Sequence, residues 1–201
     1  HSDAALLDEL LNKWAQKRTR NMLRSVYYDG KNALQDLGIS IPPQLKSVET
    51  VLGWPAKAVG ALAARCTFDG FVLPGSDQDP FDLAGLFTDN DMDVELPQAI
   101  TSSLIHSTAF LTITPGDTSV GEPEVLLLAR SAQFGTGIWD RRRRMMRAAL
   151  SIVDTDETGF PTELVMYQPD KVSTFTRTAA GKWAVEIQAN RLGRVWVEPL
   201  V

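Results

Sequence analysis

From Asp3 to Tyr28 the apolar residues Leu7, Leu11, Trp14, Met22 and Val26 recur at steps of three and four, broken once by Arg18. That spacing predicts one amphipathic helix with a narrow apolar stripe. Asp29-Gly30 supplies its stop, since Gly readily takes the left-handed conformation that closes a helix. After the Ile41-Pro42-Pro43 loop, Val48, Val51, Leu52, Val59, Leu62 and Ala63 predict a second helix over 47–66. Pro55 either kinks this helix or begins a new one after Gly53-Trp54. A short apolar strand is expected at Phe71-Val72-Leu73. Between Pro74 and Pro97 the chain is acidic and broken. Asp79-Pro80 is expected to open a short helix carrying Phe81, Leu83, Leu86 and Phe87. Pro97 is expected in the first turn of another that ends near Ser107.

From Ala109 the period changes to two. Phe110, Thr112 and Thr114 alternate with Leu111 and Ile113 until Pro115-Gly116, and Val125 to Ala129 reads as a buried run. Met146, Ala148, Leu150 and Ile152 are expected on one face of a strand, with Arg147 and Ser151 on the other. Segments 164–167, 172–177 and 183–187 continue a meander, with Gly159-Phe160-Pro161 and Ala180-Gly181-Lys182 as turns. The tail Arg194 to Pro199 reads as extended. Helices first and strands afterwards give the α+β class: N-terminal amphipathic helices followed by a mainly antiparallel β-sheet meander. Two parts are expected, a mainly helical 1–107 and an antiparallel β 108–201, packed together as one unit.

Composition narrows the class without naming a function. With 44% hydrophobic and 22% charged residues, the 201-residue chain has the balance of a globular domain. A net charge of -5 and a pI near 5.1 argue against a general nucleic-acid coat, although a local basic patch remains compatible. The single Cys66 excludes an intramolecular disulfide, so nothing points to secretion. No apolar run reaches the roughly 18–20 residues of a membrane span, and no membrane partner is expected. The opening residues show no signal-peptide pattern, and a start at His1-Ser2 without Met is expected of a trimmed chain.

Candidate chemistry is sparse. Asp89-x-Asp91-x-Asp93 matches the start of a calcium loop, but Val94 replaces the required Gly and Ile100 stands where the bidentate Glu belongs. Asp154-x-Asp156-x-Thr158-Gly159 is nearer, yet Val165 takes the Glu position. A solvated loop and a hairpin turn are the plainer readings. A metal-dependent enzyme built on the Asp77 to Asp93 cluster stands as a weaker alternative. Gly135-Thr136-Gly137 lacks the third Gly of a dinucleotide fingerprint, and neither a phosphate loop nor a nucleophile elbow is present. His106 is expected to be a hydrogen-bonded structural histidine, and Cys66 a small buried hydrophobe. With no nucleophile, base and orienter assembled, no enzyme and no cofactor are expected. The densest charge is Arg141-Arg142-Arg143-Arg144 with Arg147 beyond it. Mutual repulsion requires neutralisation by acids of this chain, by a partner subunit or by phosphate, so these five are the candidate interface or phosphate-contact residues.

Several stretches together resemble the N-terminal region of tailed-bacteriophage portal proteins. They are Tyr27-Tyr28-Asp29-Gly30 with Leu37-Gly38-Ile39 and the prolines, then Trp54-Pro55 with the helix ending Ala64-Arg65-Cys66-Thr67-Phe68-Asp69-Gly70-Phe71. Ala132 to Asp140, Met166-Tyr167-Gln168-Pro169-Asp170, Leu192-Gly193-Arg194-Val195 and Glu198-Pro199-Leu200-Val201 complete the resemblance. It implies the outer, wing-like part of a phage or prophage portal, with stem, clip and crown absent. Such subunits form a dodecameric ring at a capsid vertex, through which double-stranded DNA passes and to which the tail attaches. The implied partners are further copies of the chain, the terminase motor, the capsid and head-tail adaptor proteins. The implied location is the virion's portal vertex, and the bacterial cytoplasm during assembly. The other non-catalytic alternative is a stand-alone protein-interaction domain.

Overall fold

The computed structural model describes residues 3–30, 53–71, 74–75, 79, 81–116, 118–190 and 193–201. The Ile41-Pro42-Pro43 loop, Val48, Val51, Leu52, Val72, Leu73, Asp77 and Pro80 lie outside the described residues. Among the described residues four α-helices come first: α1 (Asp3–Tyr28), α2 (Trp54–Ala63), α3 (Leu83–Asp89) and α4 (Met92–His106). Eight strands follow: β1 (Ala109–Pro115), β2 (Val125–Ser131), β3 (Gly135–Asp140), β4 (Met145–Thr155), β5 (Pro161–Tyr167), β6 (Lys171–Arg177), β7 (Trp183–Ala189) and β8 (Val197–Leu200). The fold is α+β, and every strand pairing is antiparallel.

The strands make two sheets, a meander ordered β3-β4-β5-β6-β7 and a smaller sheet ordered β2-β1-β8. One core lies between α1 and the meander, where Leu10 and Trp14 meet Ala148, Leu150, Ile152, Leu164 and Met166. Leu10 is fully buried, and removing such a side chain from water contributes about 1.5–3 kcal/mol. The second core joins the two sheets through Phe110, Met146, Ala149, Tyr167 and Val197. β4 therefore feeds both cores, one from each face.

The helix stop after α1 is as the sequence predicts. Gly30 has φ +69°, and its N–H donates to the Tyr27 carbonyl over 3.3 Å. Other details differ. The buried line along α1 is Leu10, Trp14 and Asn21, while Met22, expected in the apolar stripe, is half exposed. Leu10 fits the same 3.6-residue period one step round the helix, so periodicity alone leaves the phase of the stripe open. Pro55 sits in the first turn of α2, where its missing N–H costs nothing. α3 starts at Leu83, capped by Asp82 rather than opened by Asp79, and Phe81 lies outside it, exposed. α4 starts at Met92, so Pro97 falls inside the helix instead of in its first turn. As the sixth residue it lies past the four unpaired N–H groups of the helix start, so it removes the i→i−4 bond to the Asp93 carbonyl. Cys66, expected to be buried, is exposed.

Two corrections concern the strands. Val125 to Ala129 is half buried, because β2 is an edge strand. That edge is closed by side chains of the helical part: Asn90 accepts from the Leu127 N–H at 2.7 Å and donates to the Val125 carbonyl at 2.9 Å. Glu95 accepts from the Ala129 N–H at 3.0 Å. The other correction is Met146, which does not share a face with Ala148. The β3–β4 register shifts between Ile138 and Trp139, which pair with Ala148 and Met146, leaving Arg147 as the extra residue of a bulge. Met146 thus joins the second core, and Arg147 turns toward α1.

Candidate interaction surface

β3 is an edge of the meander, and it ends in a hairpin made of the four arginines. Asp140 organises that turn: one carboxylate oxygen accepts the backbone N–H groups of Arg142 (2.9 Å) and Arg143 (3.0 Å). These bonds, Arg143's first, hold the Asp140 carboxyl below its usual range. The Arg143 guanidinium also approaches Asp140, at 4.0 Å. Arg144 closes the turn at φ +54°, a conformation rare outside Gly, Asn and Asp. The guanidinium groups of Arg141, Arg142 and Arg144 have no carboxylate within ion-pair distance among the described residues. The expected lacing to acids of this chain is therefore restricted to Arg143 and Arg147. Arg147 pairs with Glu9 of α1, at 3.0 Å and 3.3 Å to the two carboxylate oxygens.

Glu9 is followed on the same face of α1 by Lys13, Lys17, Arg20 and Arg24, at the steps of three and four that stack side chains in one row. The Lys13 ammonium donates to the Gly137 carbonyl on the outer edge of β3 at 2.6 Å. Burial lowers the Lys13 pKa, and the positive charges of Lys17 and Arg147 lower it further. The row on α1 thus meets Arg147 beside the hairpin, with Glu9 between them opposing the shift. Nine of the chain's 20 Lys and Arg lie in this band of row and hairpin, against two of its 25 Asp and Glu, Glu9 and Asp140. The remainder holds 11 bases and 23 acids, an excess of 12 negative charges. The band is thus basic on a chain whose net value is -5.

Behind the band lies a cavity of about 360 Å³, walled by Trp14, Phe110, Thr136, Lys17, Arg20 and Arg24. Among the described residues no Asp or Glu lines it. His106 closes one end. Its Nε2 lies 3.0 Å from the Ser25 hydroxyl and its Nδ1 3.1 Å from the Ser102 carbonyl. The Ser102 carbonyl can only accept, so a hydrogen on Nδ1 makes that bond and leaves Nε2 to accept the Ser25 proton; Gln133 donates to the same Ser25 oxygen (2.6 Å). Burial lowers the His106 pKa, and the Arg24 charge does the same. This is the structural histidine that the sequence predicts.

Of the aspartates in the broken segment, Asp79 and Asp82 cap the start of α3. Asp79 accepts the Ala84 N–H at 2.8 Å, Asp82 accepts that of Gly85 at 3.3 Å, and Asp91 starts α4 at φ +48°. Asp156 accepts the N–H groups of Thr158 and Phe160, each at 2.9 Å, inside the β4–β5 turn. Among the described residues no three or more His, Cys, Asp or Glu side chains are grouped to hold a metal ion. Gly135 and Gly137 serve packing: side chains there would strike Phe110 and Met146 at 2.8 Å and 2.6 Å.

Comparison with known proteins gives these surfaces a context. No family model matches the chain. The portal protein of Mycobacterium phage D29 is 24% identical over 124 residues, 60% of this chain and 26% of that protein. The portal protein of Mycobacterium phage L5 is 24% identical over 114 residues, 57% of this chain and 24% of its own length. The chain is similar to phage portal proteins. It spans about a quarter of the length of the curated relatives it matches. Among the described residues of this portal-like chain, no helix is long and apolar enough to cross a membrane.

Sequence reasoning singled out the arginine run but missed its continuation into α1, and it missed Asn90 and Glu95 as strand-edge caps. The row Lys13, Lys17, Arg20, Arg24 was readable at helical spacing. Its alignment with the hairpin depends on a bulge that no local pattern announces.

Proposed function

We propose that this chain is a structural, non-catalytic subunit of portal type, from a phage or prophage. The observation that carries the reading is its similarity, over more than half of its residues, to two portal proteins. In this reading the helical part and the β part act as one wing-like unit of a ring at a capsid vertex. Double-stranded DNA passes through the ring, which works with a terminase motor, capsid and head-tail adaptor proteins.

The basic band supports such a role. Copies arranged around a ring meet through two different faces, so each subunit needs complementary surfaces on opposite flanks. A basic band on one flank and an acidic remainder supply that complementarity, and like-charged contacts disfavour wrong registers. The Arg141 to Arg144 turn is the assigned contact, since three of its four guanidinium groups are uncommitted among the described residues. The test is electron microscopy and mass photometry of the full-length protein with Arg142→Glu and Arg144→Glu together. The parent is expected to form rings with a central opening, and the double variant to yield mainly single subunits. Rings that persist in the variant remove the arginines from the interface. A parent that stays monomeric at every concentration overturns the portal reading.

A further inference from the structure

The cavity behind α1 is chemically distinct from the hairpin beside it. Lys17 and Arg20 line it and make no hydrogen bond or ion pair among the described residues. Arg24 is partly committed: one guanidinium nitrogen donates to the His106 carbonyl at 2.6 Å, offsetting the negative end of α4. Thr136 lines the same wall, 5% exposed, and its hydroxyl has no partner among the described residues. Three cations, an unspent hydroxyl and, among the described residues, no acid make a site short of negative charge and of acceptors. We propose that this cavity binds a phosphate group, held by Lys17, Arg20 and the free edge of the Arg24 guanidinium, with Thr136 donating its hydroxyl.

Phosphate suits the site better than a carboxylate. It carries more charge and more acceptor oxygens in a compact tetrahedral group, which guanidinium and ammonium donors from several directions can saturate. Trp14 and Phe110 wall the cavity, which lowers the local dielectric and strengthens each charged contact. The row from Lys13 to Arg24 extends over about 16 Å at 1.5 Å per residue, long enough to follow successive phosphates of a strand as well as to hold a free one. Neither the ring nor the tetra-arginine turn enters this inference, so it stands apart from the portal reading.

The probes are inorganic phosphate and pyrophosphate, titrated calorimetrically into the full chain at low salt. A short DNA duplex, followed by fluorescence anisotropy with pyrophosphate as competitor, separates strand phosphates from free ones. Lys17 and Arg20 are exposed, so Lys17→Ala/Arg20→Ala is expected to keep the fold, which circular dichroism checks. The expected result is one saturable site, weakened about tenfold or more in that variant, the effect of losing a charge-assisted hydrogen bond. Arg142→Ala/Arg144→Ala should leave it unchanged. Competition by the duplex assigns the site to strand phosphates, and binding of the small anions without it assigns free phosphate. Absence of saturable binding to all three probes overturns the proposal. So does binding that survives Lys17→Ala/Arg20→Ala, or that the hairpin variant weakens equally.

Discussion

The two edges of the five-stranded meander could hardly be treated more differently. β3 is guarded: a bulge bends its partner strand, Lys13 occupies the Gly137 carbonyl, and α1 lies along it. β7 is bare. All seven of its residues are exposed, with Trp183, Val185 and Ile187 aligned on the face that α1 covers elsewhere. Bulges and inward-pointing lysines are the standard devices that stop strands adding to an edge. β7 carries none of them, and α1 stops short of it. The lesson is that this sheet has a direction, with charge at one margin and uncovered apolar surface at the other.

The largest effect should come from the middle of the sheet, which neither edge resembles. Leu164→Ala removes a side chain that is 1% exposed and touches α1's core, and should cost about 2–5 kcal/mol in urea unfolding. The matching truncation at the bare margin, Ile187→Ala, removes a side chain 61% exposed and should cost less than about 1 kcal/mol. Equal costs would mean that β7 is covered in solution. Next, Ile187→Lys should suppress concentration-dependent self-association in light scattering while leaving unfolding almost unchanged. Unaltered scattering would show that the bare edge is not sticky.

The guarded margin should respond to acid. His106 has a folded pKa below its ordinary 6.5, so its contribution is complete above that value and declines as pH falls below it, because the unfolded chain binds the proton more readily. Protonation would also occupy the Nε2 lone pair, so the Ser25 hydroxyl would lose its acceptor. Stability measured from pH 7 down to about 5 should therefore fall more steeply in the parent than in His106→Asn. The smallest effect is expected for Glu9→Gln. Both partners of its pair with Arg147 are about half exposed, so the loss should stay within about 0.2–1 kcal/mol and shrink with salt.

Much of the fold was legible because its signals are local. The bounds of α1 follow from apolar spacing and Asp29-Gly30, and the order of helices before strands follows from a change of period at Ala109. What could not be read depends on contacts between distant segments. Leu10 is buried instead of Met22 because of where β4 and β5 lie. Asn90 and Glu95 look like solvated residues of an acidic stretch until β2 arrives to use them. The candidate surface divides the same way: the arginine run stands out in one dimension, and its union with Lys13, Lys17, Arg20 and Arg24 exists only in three.

The bulge at Arg147 fixes a parity for the whole molecule. Residues before it and after it obey opposite odd–even rules, so Met146 and Ala149 look toward the small sheet while Arg147, Ala148 and Leu150 look toward α1. Deleting Arg147 would restore a uniform alternation with Met146 still facing the small sheet, and would remove the pair with Glu9. The length of this hairpin can change at its tip or at the bulge, but an odd change in the regular part of β4 would exchange the contents of two cores.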